Sequence, residues 1–148
     1  AGALNKHHPT YVRAFKKYLS KYSFLQYLGF IDQAILAAVY NKAIIFAVPS
    51  WFETTGLVYL EAVVAGCKSI VASGDRAYEY LGHNGYYCDP GSIVSIKKAL
   101  LKANTHKSVS AKFKKKVLKN YNWDITAKQT LKVYLKILKS NNYKLYAG

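Results

Sequence analysis

Glu53 and Glu61 are the residues of this chain with the most chemistry to offer, because Gly56 and a helix start lie between them. A carboxylate carries several lone-pair sites and can accept two hydrogen bonds from a vicinal diol. The apolar run Ala43–Val48, stopped by Pro49, reads as a strand. The segment from about Gly56 to Ala65, ended by Gly66, reads as a helix. In a strand–loop–helix of this kind the N–H groups of Thr55, Gly56 and Leu57 lack intrahelical partners and offer a site to an anion or hydroxyl. Gly56 lets a ligand approach the backbone closely. Leu57 and Glu61 fall one turn apart on one helix face, so Glu61 rises beside the site while Glu53 stands at its mouth. Such a pair suits a ligand with hydroxyls at both ends and phosphate between, as in a nucleotide sugar. Two acids complementing the dipole of a helix start would show the same spacing, which by itself leaves both roles open.

The elements that must position this loop alternate short apolar runs with amphipathic segments, the pattern of a parallel α/β sheet with helices on both faces. Ala1–Leu4 is expected to end a strand, and Thr10 to cap a helix over 11–20 with Tyr11, Ala14, Phe15, Tyr18 and Leu19 on one face. Ser23–Leu28 reads as a strand closed by Gly29, and Asp32 as the cap of a helix over 33–41. Ala43–Val48 lacks polar alternation, so it is expected to be covered on both faces. Strands at Ser69–Ala72 and Tyr86–Cys88 follow, separated by a short helix at Ala77–Leu81. Asp89-Pro90 is expected to open a helix over 91–103 with Ile93, Ile96 and Leu100 inward. Two more amphipathic helices are expected over 109–120 and 125–139, with Trp123 at the joint and Phe113 and Tyr134 on apolar stripes. Without a repeat or linker, the whole chain reads as one domain.

Composition narrows the function classes. An apolar share of 51% excludes disorder, and no apolar run reaches the roughly 18–20 residues of a membrane span. The amino end turns polar within five residues, so no signal peptide is expected, and a cytoplasmic location follows. Cys67 and Cys88 read as buried reduced thiols, and neither they nor His7-His8 have the company a metal site needs. Gly66-Cys67-Lys68-Ser69 precedes a strand and lacks the spaced first glycine, which rules out a phosphate loop. The net charge of +15 is uneven: from Lys97 onward fourteen lysines face one acid, Asp124. That field attracts phosphates of any kind. The lysines at 112–119 read first as the solvated face of a helix. An anionic membrane surface is the functional rival, and nucleic acid is disfavoured because the helical aromatics sit on apolar stripes. A non-catalytic basic module for nucleic acid or anionic membrane is the alternative to an enzyme.

The string Pro49-Ser50-Trp51-Phe52-Glu53-Thr54-Thr55-Gly56-Leu57-Val58-Tyr59-Leu60-Glu61-Ala62, ending in Ala65-Gly66, resembles the donor signature of glycosyltransferase family 4. That pattern reads P-S-x-x-E-x-x-G-L-x-x-L-E-A-x-A-x-G. In the same order, Tyr27–Asp32 resembles F-L-G-x-V-x-D, and Ser69–Ser73 the strand after the signature helix. Tyr78–Leu81 resembles P-E-V-V, Asn84–Pro90 the N-G-hydrophobic-x-V-D-P turn, and Tyr121-Asn122-Trp123 the F-S-W motif. The resemblance implies the donor-binding half of a GT-B glycosyltransferase, a Rossmann-like domain, retaining and independent of metal or other cofactor, of hexosyltransferase type. It implies that Glu53 contacts hydroxyls of the transferred sugar, that the backbone at Thr54, Thr55, Gly56 and Leu57 holds sugar and distal phosphate, and that Glu61 binds the ribose. It also implies that the Ile31–Asp32 turn lies against the base. Two departures stand out. Thr54-Thr55 replace the usual Gly-aromatic pair. The amino-terminal acceptor domain and the first strand–helix unit, with its Arg and Lys for the pyrophosphate, have no counterpart. The chain is therefore expected to be a piece of a longer two-domain enzyme, inactive alone, peripheral at most to the inner membrane face.

Overall fold

The structure, a computed structural model, describes residues 1–5, 7–74, 76–106 and 108–139. Lys6, Lys107 and Lys144 of the basic set lie outside them. The chain divides into two compact units, Ala1–Val39 and Tyr40–Gly148.

In the first unit, α1 (Pro9–Lys21) starts two residues earlier than a Thr10 cap would place it. Pro9 supplies the preset φ of a first helical residue, and His8 takes the cap position without a side-chain bond. The aromatic face of α1 finds a partner: Phe15 meets Tyr27 edge-on at 5.6 Å. The expected strands at 1–4 and 23–28 do not form. A strand needs a ladder, and here Gly2 N–H to the Gly29 carbonyl (2.7 Å) and Tyr27 hydroxyl to the Gly2 carbonyl (2.7 Å) tie two irregular segments instead. Asp32 behaves as expected. Its Oδ1 accepts the Ile35 N–H at 2.8 Å and starts α2 (Gln33–Lys42).

The second unit is built on a three-stranded parallel sheet, β1 (Ile45–Val48), β2 (Lys68–Ala72) and β3 (Tyr86–Cys88), in that spatial order. Val48 pairs with Val71, and Val71 with Tyr87. Each crossover carries helices: α3 (Leu57–Ala65) between β1 and β2, and the short α4 (Tyr78–Leu81) between β2 and β3. Three more helices follow, α5 (Ile93–Thr105), α6 (Ala111–Asn120) and α7 (Trp123–Lys139). Alternation along β2 sorts the core into two layers. Val71 points to Tyr59, Leu60 and Val63 of α3 and to Phe113 and Val117 of α6. Ile70 points the other way, to Ala99 and Ala103 of α5. The sheet thus carries helices on both faces, as a Rossmann-like half requires.

Several expectations change. Every residue of β2 is buried, whereas Ala47 of β1 is exposed, so the doubly covered strand is β2. Ser92, not Asp89-Pro90, caps α5: its hydroxyl accepts the Ser95 N–H at 3.2 Å. The buried face of α5 is centred on Ile96, Ala99 and Ala103, whose small side chains let the helix lie close to the sheet. Ile93 and Leu100 fall at its margin and are exposed. Phe113 is in the core as expected, but Tyr134 is exposed, and α7 buries none of its residues. No helix among the described residues is long and apolar enough to cross a membrane.

Candidate donor-binding site

The signature loop lies at the carboxyl ends of the parallel strands, where ligands of open α/β sheets collect. Two tyrosines fix its shape. The Tyr59 hydroxyl donates to the Val48 carbonyl at 2.8 Å and holds the end of β1 to α3. The Tyr80 hydroxyl donates to the Thr55 carbonyl at 2.6 Å and meets the Gly56 carbonyl at 3.2 Å. Gly56 itself caps α3 in the left-handed region, at φ 60°. A Cβ there would come within 2.6 Å of the Tyr59 ring and the Tyr80 hydroxyl. Glycine is therefore required twice over, by conformation and by space. At the other end of α3, Gly66 takes φ 107° and donates to the Ala62 and Val63 carbonyls, a left-handed stop.

Glu53 turns inward. Its Oε1 accepts the Thr54 N–H at 2.8 Å and the Gly56 N–H at 3.3 Å. One of the amides expected to stand open is thus taken by the chain's own carboxylate, while the Thr55 and Leu57 N–H groups have no acceptor among the described residues. Glu61 is exposed. Its position on the helix faces outward because Leu60, Ala62 and Val63 take the core. It lies near enough to Tyr40 to act on it: burial first, and then the Glu61 charge, push the Tyr40 hydroxyl above its ordinary value. Ile31 and Asp32 belong to the first unit, where Asp32 caps α2.

Beside Glu53 opens a cavity of about 420 Å³ lined by Ser50, Trp51, Phe52, Arg76 and Asp89 among others. Trp51, 79% exposed, rests its ring edge where a Gly91 Cβ would stand, 2.9 Å away. Sequence reasoning singled out none of Tyr59, Tyr80, Arg76 or Asp89 as site residues. Tyr80 reaches the loop from α4, Arg76 lines the same cavity from the β2–α4 connection, and nothing in their spacing announces either. The thiols are as expected: Cys67 and Cys88 are free and buried, and burial is the first cause raising both above their ordinary value.

A parallel α/β sheet with helices on both faces and a clamped loop at its carboxyl edge makes one half of a doubly wound fold. The comparisons with known proteins give it a family. Residues 2–106 match the family "Glycosyl transferases group 1", and the chain belongs to it. It is 33% identical over 114 residues to an uncharacterized glycosyltransferase of Methanocaldococcus jannaschii, covering 73% of this chain and 29% of that protein. It is 25% identical over 113 residues to O-antigen chain mannosyltransferase B of Escherichia coli, covering 74% and 30%. With a serotype-specific mannosyltransferase of Escherichia coli the identity is 26% over 120 residues, 79% of this chain and 15% of the relative. The chain therefore spans less than a third of each of these relatives.

Proposed function

We propose that this chain binds a nucleoside diphosphate sugar at the carboxyl ends of β1 to β3 and forms the donor half of a retaining, metal-independent hexosyltransferase. In the transfer, the anomeric carbon loses the diphosphate and gains an oxygen of an acceptor. That acceptor would be held by an amino-terminal domain of a longer enzyme. The observation that carries this reading is the Ser50–Leu57 loop, held by Tyr59 and Tyr80 so that Glu53 and an aromatic-lined cavity share one opening. On donor binding, Glu53 releases the Thr54 and Gly56 amides to the distal phosphate and turns to the sugar hydroxyls. Glu61, exposed one turn beyond Leu57, takes the ribose. Mannosyl donors are the first to try, since two relatives are named mannosyltransferases.

Titration of the 148-residue chain with UDP- and GDP-sugars, and with single-stranded oligonucleotide at two salt concentrations, tests it. Saturable nucleotide binding with a modest salt slope is expected. A steep salt slope without nucleotide preference would instead support the basic-module reading.

Peripheral contact with an anionic membrane has an observation of its own in α7. Lys128, Lys132, Lys136 and Lys139 share one face, while Leu131, Tyr134, Leu135 and Leu138 are exposed beyond it. This is the composition of a helix lying in a bilayer interface. The lysines at 112–119 sit instead on a helix whose apolar side, Phe113 and Val117, is already in the core. Lysine-to-glutamine changes in α7, and not in α6, should lower binding to anionic vesicles, each lysine being worth about 1 kcal/mol. Equal binding by both sets would return α7 to a solvated helix.

A further inference from the structure

We propose that Arg76 is the cation this chain itself contributes to the donor's diphosphate, an assignment that rests on the donor-site reading above. Arg76 lies in the connection between β2 and α4, just after Gly74, whose φ of 83° turns the chain at the end of the strand. From there it lines the same cavity as Glu53 and Asp89. Among the described lining residues it is the one cation, and the cavity's other charges are two carboxylates.

Both carboxylates are already engaged with backbone. Glu53 accepts from Thr54 and Gly56, and Asp89 Oδ1 accepts the Gly91 N–H at 2.9 Å. The Arg76 guanidinium has no hydrogen bond or ion pair among the described residues, although its carbonyl accepts the Glu79 N–H at 2.9 Å. An arginine beside two acids would be expected to pair with one of them if pairing were its role. Left over, its five donors and full charge are available to a ligand in the cavity that Arg76 lines.

The chemistry of the wall then sorts a ligand's groups. Glu53 and Asp89 repel an anion and accept from hydroxyls. An anionic part must therefore lie by Arg76, whose planar fork fits two phosphate oxygens at once. A ligand with sugar hydroxyls on one side and a diphosphate on the other fits this division, and a neutral sugar would leave Arg76 unused. Lysine would keep the charge and lose the fork.

The test compares wild type, Arg76→Gln and Arg76→Lys, each titrated with uridine, UDP, guanosine and GDP, with thermal melting as a control. Arg76→Gln should weaken the preferred diphosphate about tenfold or more, as for a lost charged hydrogen bond. Nucleoside affinity should stay within about twofold, and the melting temperature should not move, because the side chain is exposed. Arg76→Lys should fall between the two. Equal diphosphate affinity in wild type and Arg76→Gln overturns the assignment and leaves the donor site standing. A wild-type chain that binds neither nucleosides nor diphosphates removes the donor-site reading itself, and this assignment with it.

Discussion

Helices α3 and α7 are both rich in apolar residues, yet one sets most of them into the core and the other lies open. In α3, Tyr59, Leu60, Ala62 and Val63 are buried, and the apolar residues surround the helix with little preference for a side. In α7 the four lysines gather toward one side and most apolar residues toward the other, and no residue is buried. A helix apolar all round can only be stable inside, so its surroundings are implied by its own sequence. A striped helix says which side seeks cover and nothing about what provides it. The difference also separates tasks: α3 holds the site's loop in place, while α7 offers a surface.

The largest effect should come at the entrance to α3. Gly56→Ala places a Cβ against Tyr59 and Tyr80 and forces a left-handed φ, costing together about 3 kcal/mol. The melting temperature should fall by roughly 10 °C, with nucleotide binding lost. Next, Leu60→Ala should cost about 2–3 kcal/mol in denaturant unfolding through a cavity beside Val71 and Phe113. A smaller effect is set by pH. Tyr40, Cys67, Tyr86 and Cys88 all titrate above their ordinary values, with burial the leading cause. Being raised in the fold, they stay protonated there and ionise more readily unfolded. Their contribution is complete below the ordinary thiol value of 9.0 and is lost as pH rises through the folded values. Melting temperature followed from pH 7 to pH 11 should therefore stay level and then decline above about pH 9. None of the four lies in α7. The smallest effect is expected there: Leu131→Ala, 57% exposed, should change stability by less than about 0.5 kcal/mol. A loss comparable to that of Leu60→Ala would show that α7 is covered after all.

The parallel sheet, its helices and the loop at its carboxyl edge were legible because each leaves a local mark. Pro49 ends a strand, Gly56 and Gly66 bracket a helix, and Asp32 caps one. The strand at 23–28 was not legible as coil, since its composition suits a strand and only a ladder partner decides. Burial of Ile93 and Tyr134 was misjudged for the reason α7 illustrates: periodicity marks a face, not its neighbour. At the site, Glu53, Gly56 and Glu61 stood out by spacing. The role of Glu53 as its own loop's cap did not, because it depends on a side-chain torsion. Tyr80 at the loop and Arg76 in the cavity beside Glu53 were missed because they arrive from twenty or more positions away in sequence.

The central claim is that Glu61 serves a ligand and not the helix, and Glu61→Gln tests it in one protein. The side chain is exposed, and it has no hydrogen bond among the described residues, so the fold should melt within a degree or two of wild type. Weakening a charged acceptor of ribose hydroxyls should cost roughly 1.5–3 kcal/mol in nucleotide affinity. Both quantities can be measured on the same preparation, by thermal melting and by calorimetric titration with the preferred nucleoside diphosphate. Unchanged melting with weakened binding is the expected result. A variant that melts early and binds nucleotide as tightly as wild type would contradict the account.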